Sequence, residues 1–166
     1  MLNIVIINGG RGASETISAL LSRQGLHVTS LVNAYDDGMS TGEIRRFFGM
    51  VGPSDIRKVQ ELMLPKDDVD YHSNLRLFGY RFPINCDRDK ILSDLRAFAD
   101  GSKADLEGVY FESIKVRTAL QSFIREFLMG LNGIEQVIGE RFIFADCSLM
   151  NCIYAGAFME FNRNFE

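Results

Sequence analysis

The stretch LVNAYDDGMSTGEIRRFFGMVGPSDIR, residues 31–57, decides how this chain of 166 residues is organised. It begins as a strand, passes through two acids and a glycine, and continues through two hydroxyl residues into a helix with two arginines. A second turn at residues 52–55, GPSD, then opens another helix. Acids, hydroxyls, arginines and helix starts at this density are typical of a site for a phosphate-bearing ligand.

The segment before this stretch predicts the sheet to which it belongs. Residues 3–8, NIVIIN, form an apolar run typical of a strand buried on both faces, as in a parallel sheet. A helix is expected from about residue 13 to 24, and a second strand from 27 to 33. This β-turn-α-β order starts a doubly wound sheet, in which ligands bind beyond the carboxyl ends of the strands. The loops after Asn8 and Asn33 should therefore share one edge.

The remainder of the chain predicts mainly helices. They are expected over residues 54–64, 87–100, 112–131 and 148–161, with short strands at 109–111 and 141–145 and a loop at 66–74. Ser54 is the candidate N-cap of the first of these helices, and small residues around Gly156 let the last one approach a neighbour closely. The fold class is therefore α/β, a Rossmann-like doubly wound parallel sheet in one domain, residues 1–166. With four strands at most, the sheet is thin and the fold incomplete.

The composition narrows the classes of function and the cellular location that we expect. The formal net charge is −4, which does not favour a nonspecific electrostatic grip on nucleic acid or on an anionic membrane. The apolar run near the start is too short to span a bilayer and carries no leader pattern, so we expect a cytoplasmic protein. Three cysteines without metal-ligand spacing indicate reduced thiols.

The first candidate site is the glycine turn, Gly9, Gly10, Arg11 and Gly12, between the first strand and its helix. Glycines there let the backbone approach a phosphate at a helix N-terminus, and Arg11 would add a charge-assisted hydrogen bond. The alternative is a tight turn that needs positive φ, and these four residues favour neither interpretation. The pattern is neither the dinucleotide fingerprint nor a P-loop.

The second candidate site follows the second strand. Asp36 and Asp37 stand where an acid commonly binds a ribose hydroxyl or holds Mg²⁺ beside phosphate, although Asp-Gly is also a common turn. Ser40, Thr41 and Arg45 continue as donors that would surround an anion at the next helix start.

Two further positions are weaker candidates. Asp55 lies in the first turn of the following helix, where an acid is also favoured by the helix dipole alone. Asn151 interrupts an otherwise apolar helix, and it either reaches a ligand or is a satisfied core amide. Cys147 has no histidine near it in the sequence, so a thiol nucleophile is disfavoured.

Taken in order, these segments resemble a known family, the 2-phospho-L-lactate transferase-like proteins, whose other branch is the bacterial gluconeogenesis-factor type. The resemblance rests on four segments in the right order: IVIINGGRGAS, NAYDDGMSTGEIRRFFGMVGPSDIRK, LRLFGYRF and DCSLMNCIYAGAF. It departs from the family pattern at Arg11, Met39 and Met150, each of which stands where a glycine is usual.

The resemblance implies a Rossmann-like fold and a nucleotide-type ligand. One branch transfers a phospholactyl-type group from a GDP-linked donor with Mg²⁺, and the other binds UDP-sugars without established transferase chemistry. The central stretch is closer to the UDP-sugar branch. Family members are about twice as long or longer, so the chain is expected to correspond to an N-terminal half.

Three hypotheses follow. The first is a nucleotide-sugar or nucleotide-diphosphate binding protein, with a UDP-sugar favoured. The second is a Mg²⁺-dependent transferase of a phospholactyl-type group, in which catalysis comes from positioning and charge stabilisation. The third is a regulatory or assembly module without a ligand. The expected partners are a nucleotide ligand and either a second copy or a missing C-terminal half, with no nucleic acid and no membrane.

Overall fold

The computed structural model describes residues 1–36 and 38–164, and for Arg11 and Met39 it describes the backbone alone. In this part of the chain two strands and seven α-helices follow one another. The strands are β1 (Leu2–Asn8) and β2 (Leu26–Val32). The helices are α1 (Ser14–Leu21), α2 (Met39–Phe48), α3 (Ser54–Leu62), α4 (Tyr71–Gly79), α5 (Arg88–Ala99), α6 (Ile114–Ile138) and α7 (Leu149–Glu160).

The two strands form a parallel sheet with a simple register, from Leu2 beside Leu26 to Asn8 beside Val32. A turn of 3-10 helix at Gly10–Ala13 and then α1 connect them. The predicted β-turn-α-β unit is therefore confirmed. The mixed α/β architecture, with its two-stranded parallel sheet, is an incomplete Rossmann-like fold.

The sheet is covered on one face. Along both strands, half-buried side chains alternate with exposed ones. The half-buried side faces α1 and α3, where Ile17 of α1 is fully buried. The prediction that residues 3–8 are buried on both faces is wrong, because within the described residues no layer packs on the other side.

The main core lies among the helices and not on the sheet. Its buried side chains come from α2, α4, α5, α6 and α7 and from the segments between them. Aromatic rings make much of it, and Phe127 stacks on Phe48 while it meets Phe142 and Phe144 edge-on. Edge-to-face pairs of this kind stabilise a core beyond the area they bury.

Helices α6 and α7 form the closest contact of the core. A Cβ atom built on Gly156 would lie 1.8 Å from the backbone oxygen of Phe123. Only glycine therefore allows the observed approach of α7 to α6. The prediction of small residues for close packing in the last helix is confirmed at this position.

Further predicted segments differ from the structure. The predicted loop 66–74 contains the start of α4, because buried Asp70 ahead of that helix accepts the backbone N–H groups of Glu112 and Ser113 and so anchors the helix start. The predicted strand 109–111 is reduced to a bridge between Leu106 and Val109. The long helix α6 also continues past residue 131 to Ile138.

The predicted strand 141–145 is an irregular segment whose backbone groups bond to side chains. The N–H of Phe142 donates to Glu135 at 2.6 Å, and its carbonyl accepts from Arg88 at 2.6 Å. The N–H of Ile143 donates to Glu43 at 3.0 Å. Because these groups are already satisfied, the segment needs no neighbouring strand.

No helix in the described residues is both long and apolar enough to cross a membrane.

Candidate functional site

The N-terminal ends of three helices meet at one cluster of hydroxyl and amide groups. Ser40 is the second residue of α2, Ser54 the first of α3 and Asn151 the third of α7. The Asn151 side-chain amide donates to Ser40 Oγ at 3.0 Å and to Ser54 Oγ at 3.3 Å. Thr41 Oγ1 joins Ser54 Oγ in a further hydrogen bond. We call Ser40, Thr41, Ser54 and Asn151 the hydroxyl–amide cluster.

Three members of the cluster are buried, and the fourth is partly exposed. Thr41, Ser54 and Asn151 are buried, whereas Ser40 is half-buried. The start of α7 also holds Ser40, since the Ser40 Oγ accepts the backbone N–H of Ser148 at 3.1 Å. Asn151 therefore positions the hydroxyl of Ser40, which lies nearer to solvent.

Two buried oxygens of this region have no hydrogen-bond partner among the described residues: Asn151 Oδ1 and Ser148 Oγ. Both residues are fully buried. A buried acceptor without a donor is costly, and most such groups in proteins are satisfied by another residue, a water or a ligand. The cluster therefore has hydrogen-bonding capacity beyond what the chain itself uses.

Asp36 joins the cluster from the end of the sheet. Its Oδ2 accepts from Thr41 Oγ1 at 3.3 Å, and its Oδ1 accepts the N–H of Gly38 at 3.1 Å. These bonds place a half-buried carboxylate at the N-terminus of α2, where the helix dipole favours a negative charge. Asp36 thus closes the turn before α2 and accepts the Thr41 hydroxyl, and its remaining lone pairs stay available to a ligand.

Gly52 explains how Asp36 and α3 come together. Its N–H donates to the carbonyl of Ala34 at 2.9 Å. A Cβ atom at Gly52 would lie 2.7 Å from the backbone oxygen of Asp36 and 2.9 Å from Thr41 Cγ2. The turn before α3 therefore packs directly on the chain that leaves β2.

The glycine turn packs against the other side of the α3 N-terminus. Gly10 has φ +41°, and a Cβ atom there would lie 2.4 Å from Asp55 Oδ1. Asp55 in turn pairs with Lys58 at 2.7 Å. A Cβ atom built on Gly9 would lie 3.6 Å from the other carboxylate oxygen of Asp55, an ordinary contact distance. Asp55 therefore lies close against the turn, and both this proximity and the positive φ favour glycine at position 10.

The structure brings most of the predicted site residues to one region around the start of α3. Asp36, Ser40, Thr41 and Asn151 form or touch the cluster, while Gly9, Gly10 and Asp55 lie on its flank. Gly12 is exposed, and a Cβ atom there would meet nothing within 4 Å. Half-buried Arg45 lies one turn further along α2 from Thr41.

Two predicted site features fall outside the description. Asp37 lies outside the described residues, and so does the side chain of Arg11. Their predicted roles at the ribose, the metal and the phosphates remain predictions.

Sequence reasoning missed two members of the site, Ser54 and Ser148. The expectation that Ser54 is an N-cap is wrong, because Pro53 occupies that position and Ser54 turns its hydroxyl toward Thr41 and Asn151. Both serines stand at helix starts, where a hydroxyl is routinely read as a cap. The three-residue spacing of Ser148 and Asn151 could have indicated that Ser148 belongs to the site, because it places both residues at the first turn of α7.

Cys147 lies directly beneath the cluster. Its Sγ accepts from Ser40 Oγ at 3.4 Å and lies 3.9 Å from the Sγ of Cys152. The hydrogen bond with Cys152 lowers the pKa of Cys147 despite burial, with help from Ser40 and the charge of Arg81. Burial raises the pKa of Cys152 well above its ordinary value. Both thiols are free and fully buried. Cys147 supports Ser40 by accepting its hydroxyl, and Cys152 packs behind Cys147.

Two other features bear on ligands. A cavity of about 660 Å³ is lined by Ile56, Gln60, Tyr154 and neighbouring residues, but by none of the predicted site residues. It lies on another face of α3 from Asp55. No cluster of three or more His, Cys, Asp or Glu side chains that could hold a metal occurs among the described residues.

The fold and the site define an incomplete Rossmann-like α/β protein with a hydroxyl-rich site at the carboxyl end of its sheet. Comparison with protein-family models identifies the family: the model of 2-phospho-L-lactate transferase CofD matches residues 4–144. The chain belongs to this family, as the motif resemblance predicted.

Similar individual proteins are gluconeogenesis factors. The chain is 37% identical over 84 residues to that of Listeria innocua, which covers 51% of the chain and 24% of the relative. It is 35% identical over 79 residues to a Nostoc homologue, which covers 48% of the chain and 16% of the relative. It is 24% identical over 115 residues to a Thermotoga maritima homologue, covering 69% of the chain and 34% of the relative. The matched segments thus span between 16% and 34% of these relatives. No solved structure matches significantly.

Proposed function

We propose that this chain binds the diphosphate of a nucleotide-linked ligand between the hydroxyl–amide cluster and the glycine turn. The observation that carries the proposal is the convergence of α2, α3 and α7 by their N-termini on Ser40, Ser54 and Asn151. Each helix N-terminus contributes a partial positive charge of roughly half an elementary charge. Three helix N-termini at one point favour the binding of an anion.

The donors of this site suit phosphate oxygens. Ser40 carries a half-buried hydroxyl that Asn151 and the N–H of Ser148 hold in place, and its O–H, which donates to Cys147 Sγ in this structure, would turn to a phosphate oxygen on binding. The exposed backbone of Gly9 lies on the flank, where a glycine lets a phosphate approach closely. Asp36 stands at the junction, where it would bind a ribose hydroxyl or a Mg²⁺ ion that bridges to the phosphates.

The nucleotide is proposed to be a UDP-sugar. Support comes from the resemblance of the central stretch to the UDP-sugar branch of the family; the relatives, which are described as gluconeogenesis factors, bear on the branch and not on the ligand. The base and sugar would bind outside the cluster, since its members are small and all but Ser40 are buried. In this interpretation the chain acts as a binding protein.

The binding experiment compares the wild type with two serine variants. Isothermal titration calorimetry with UDP-N-acetylglucosamine, GDP and GTP should show binding that Ser40→Ala weakens about 10-fold or more, as expected for a lost hydrogen bond to a charged group. Ser18→Ala is the control, because Ser18 is exposed on α1 away from the cluster. Equal affinity in Ser40→Ala and wild type, with the fold intact by circular dichroism, would remove the cluster from the site. No binding of any of the three nucleotides would support a ligand-free regulatory module.

Transfer chemistry is the second candidate function, favoured by the family's own description as a 2-phospho-L-lactate transferase. The proposed contribution of the chain is positioning and charge stabilisation by the cluster, since phosphoryl-type transfer depends mostly on these. Mg²⁺-dependent release of GMP from a GDP-linked donor in the presence of an acceptor would demonstrate it. Binding without GMP release would leave the binding function alone.

A further inference from the structure

The chain that follows α4 pairs with the chain that leads into α7. Arg81 and Ser148 form an antiparallel bridge whose two hydrogen bonds run between their chain neighbours, at 2.9 and 3.2 Å. Residues bridged in this way carry their side chains on the same side, with Cβ atoms about 4.5–5.5 Å apart. The side chain of Arg81 therefore begins beside Ser148, whose backbone N–H holds Ser40 of the hydroxyl–amide cluster.

The guanidinium of Arg81 is bound by Asp146, two residues before Ser148. Its Nε donates to Asp146 Oδ1 at 2.7 Å, and its Nη2 donates to the backbone carbonyl of Asp146 at 2.6 Å and to Oδ2 at 3.2 Å. Both side chains are exposed, that of Arg81 by 39% and that of Asp146 by 47%. An ion pair this open to solvent is weak, so the guanidinium can change its partner at small cost.

A buried oxygen lies on the same side of the bridge as Arg81. Ser148 is fully buried, and its Oγ has no hydrogen-bond partner among the described residues. Buried polar atoms of this kind are usually satisfied by a water or a ligand. Arg81 thus leaves the backbone next to a group that has hydrogen-bonding capacity to spare.

The charge of the proposed ligand favours a side-chain cation near the cluster. Each of the three helix N-termini supplies roughly half a positive charge, and the carboxylate of Asp36 opposes them. A diphosphate within a nucleotide sugar carries a negative charge on each phosphate, so the helix ends leave part of that charge uncompensated. Arginine suits this role because its planar guanidinium binds phosphate oxygens through two parallel hydrogen bonds.

We propose that Arg81 is a further ligand-binding residue, whose guanidinium leaves Asp146 to bind a phosphate oxygen of the anion at the hydroxyl–amide cluster. This inference rests on the proposed function, since it adds a residue to that site. Asp146 is then the partner of the guanidinium when the anion is absent. The two residues therefore have opposite effects on anion affinity: Arg81 raises it, and Asp146 lowers it by competition.

The test is isothermal titration calorimetry of the full chain with UDP-N-acetylglucosamine and with inorganic pyrophosphate, at one fixed Mg²⁺ concentration. Arg81→Gln should weaken the binding of both probes about 10-fold or more, as expected for a lost hydrogen bond to a charged group. Asp146→Asn should strengthen it about 2- to 5-fold, because an exposed ion pair competes only weakly. Asparagine is the suitable replacement, since Asp146 has φ +54° and asparagine tolerates that conformation.

Two matched controls remove the same charges elsewhere. Arg23→Gln replaces an exposed arginine in the turn before β2, at the opposite end of the sheet from the site. Asp67→Asn replaces an exposed acid beyond the C-terminal end of α3, whose N-terminus lies at the site. Both variants should stay within about 2-fold of the wild-type affinity, because salt screens exposed charges that are distant from a site.

The direction of the two changes separates ligand binding from support of the fold. If the ion pair only stabilised the segment before α7, Arg81→Gln and Asp146→Asn would both break it, and both would shift the affinity in the same direction or not at all. That outcome overturns the inference. Should Arg81→Gln lose its helices by circular dichroism, Asp146→Asn decides alone: an affinity at or below that of Asp67→Asn overturns the inference, and a higher one supports it.

Two further results distinguish this inference from the proposed function. A wild type that binds neither probe overturns both. Binding that Ser40→Ala weakens, while Arg81→Gln behaves like Arg23→Gln, overturns the role of Arg81 and leaves the proposed function standing.

Discussion

The close contact between α6 and α7 can be tested by adding one methyl group at Gly156. In Gly156→Ala the new Cβ atom would lie 1.8 Å from the backbone oxygen of Phe123 and 2.6 Å from its carbonyl carbon, whereas real Cβ atoms essentially never come closer than 3.0 Å. The obstacle is backbone, so no side-chain rotation can relieve it. The two helices must therefore move apart by more than an ångström at this point.

Such a movement affects most of the core. Helix α7 is buried along nearly its whole length, and a radial gap of about 0.5–1 Å already removes a quarter to a half of the dispersion energy of each contact. Overpacking of a core typically costs about 1–3 kcal/mol, and an overlap with backbone belongs at the upper end. For a domain of this size, about 3 kcal/mol corresponds to a decrease in Tm of roughly 6–12 °C.

The assay is thermal unfolding followed by circular dichroism, supported by urea denaturation at 25 °C. Gly133→Ala in α6 is the matched control, because a Cβ atom there would meet nothing within 4 Å. It should raise stability by about 0.5–1 kcal/mol, since alanine is the better helix former. The reasoning is refuted if Gly156→Ala unfolds at the wild-type temperature, or if the two variants change stability in the same direction.

Two further predictions concern the site and a turn near it. Gly10→Ala should destabilise the protein by about 1–2 kcal/mol, because its φ of +41° disfavours a side chain and the new Cβ would crowd Asp55, whereas Gly12→Ala should stay within about 0.5 kcal/mol of wild type in the same urea titration. The hydrogen bond from Arg81 lowers the pKa of Asp146, so the stability from this pair is present above the ordinary aspartate pKa and is lost as pH falls through the lowered value. Asp146→Asn should accordingly be less stable than wild type at pH 7 and lose less stability on acidification below about pH 4.

Each of these two predictions has an outcome that would contradict it. Equal urea midpoints for the variants at positions 10 and 12 would show that the positive φ carries no cost. Parallel acid-stability curves for wild type and Asp146→Asn would show that the ion pair with Arg81 does not form in solution.

The sequence by itself determined the local elements of this protein. Periodic apolar patterns located α3, α5 and α7 to within a few residues and α6 except for its C-terminal end, and the β-branched runs around a glycine turn located β1, α1 and β2. The placement of Asp36, Ser40 and Thr41 beyond the second strand also followed from the sequence, because parallel strands bring their carboxyl ends to one edge. These features depend on contacts between residues that are close along the chain.

Only the tertiary structure decided which distant groups meet. Asn151 reaches Ser40 and Ser54 across about a hundred residues of chain, and no local pattern encodes that contact. The irregular segment 141–145 is another case, because an apolar alternation predicts a strand whether its backbone bonds to a neighbouring strand or to side chains such as Glu135. The exposed side of the two-stranded sheet is a third case. β-branched runs favour burial of a strand, but they do not show whether this chain supplies the layer that covers it.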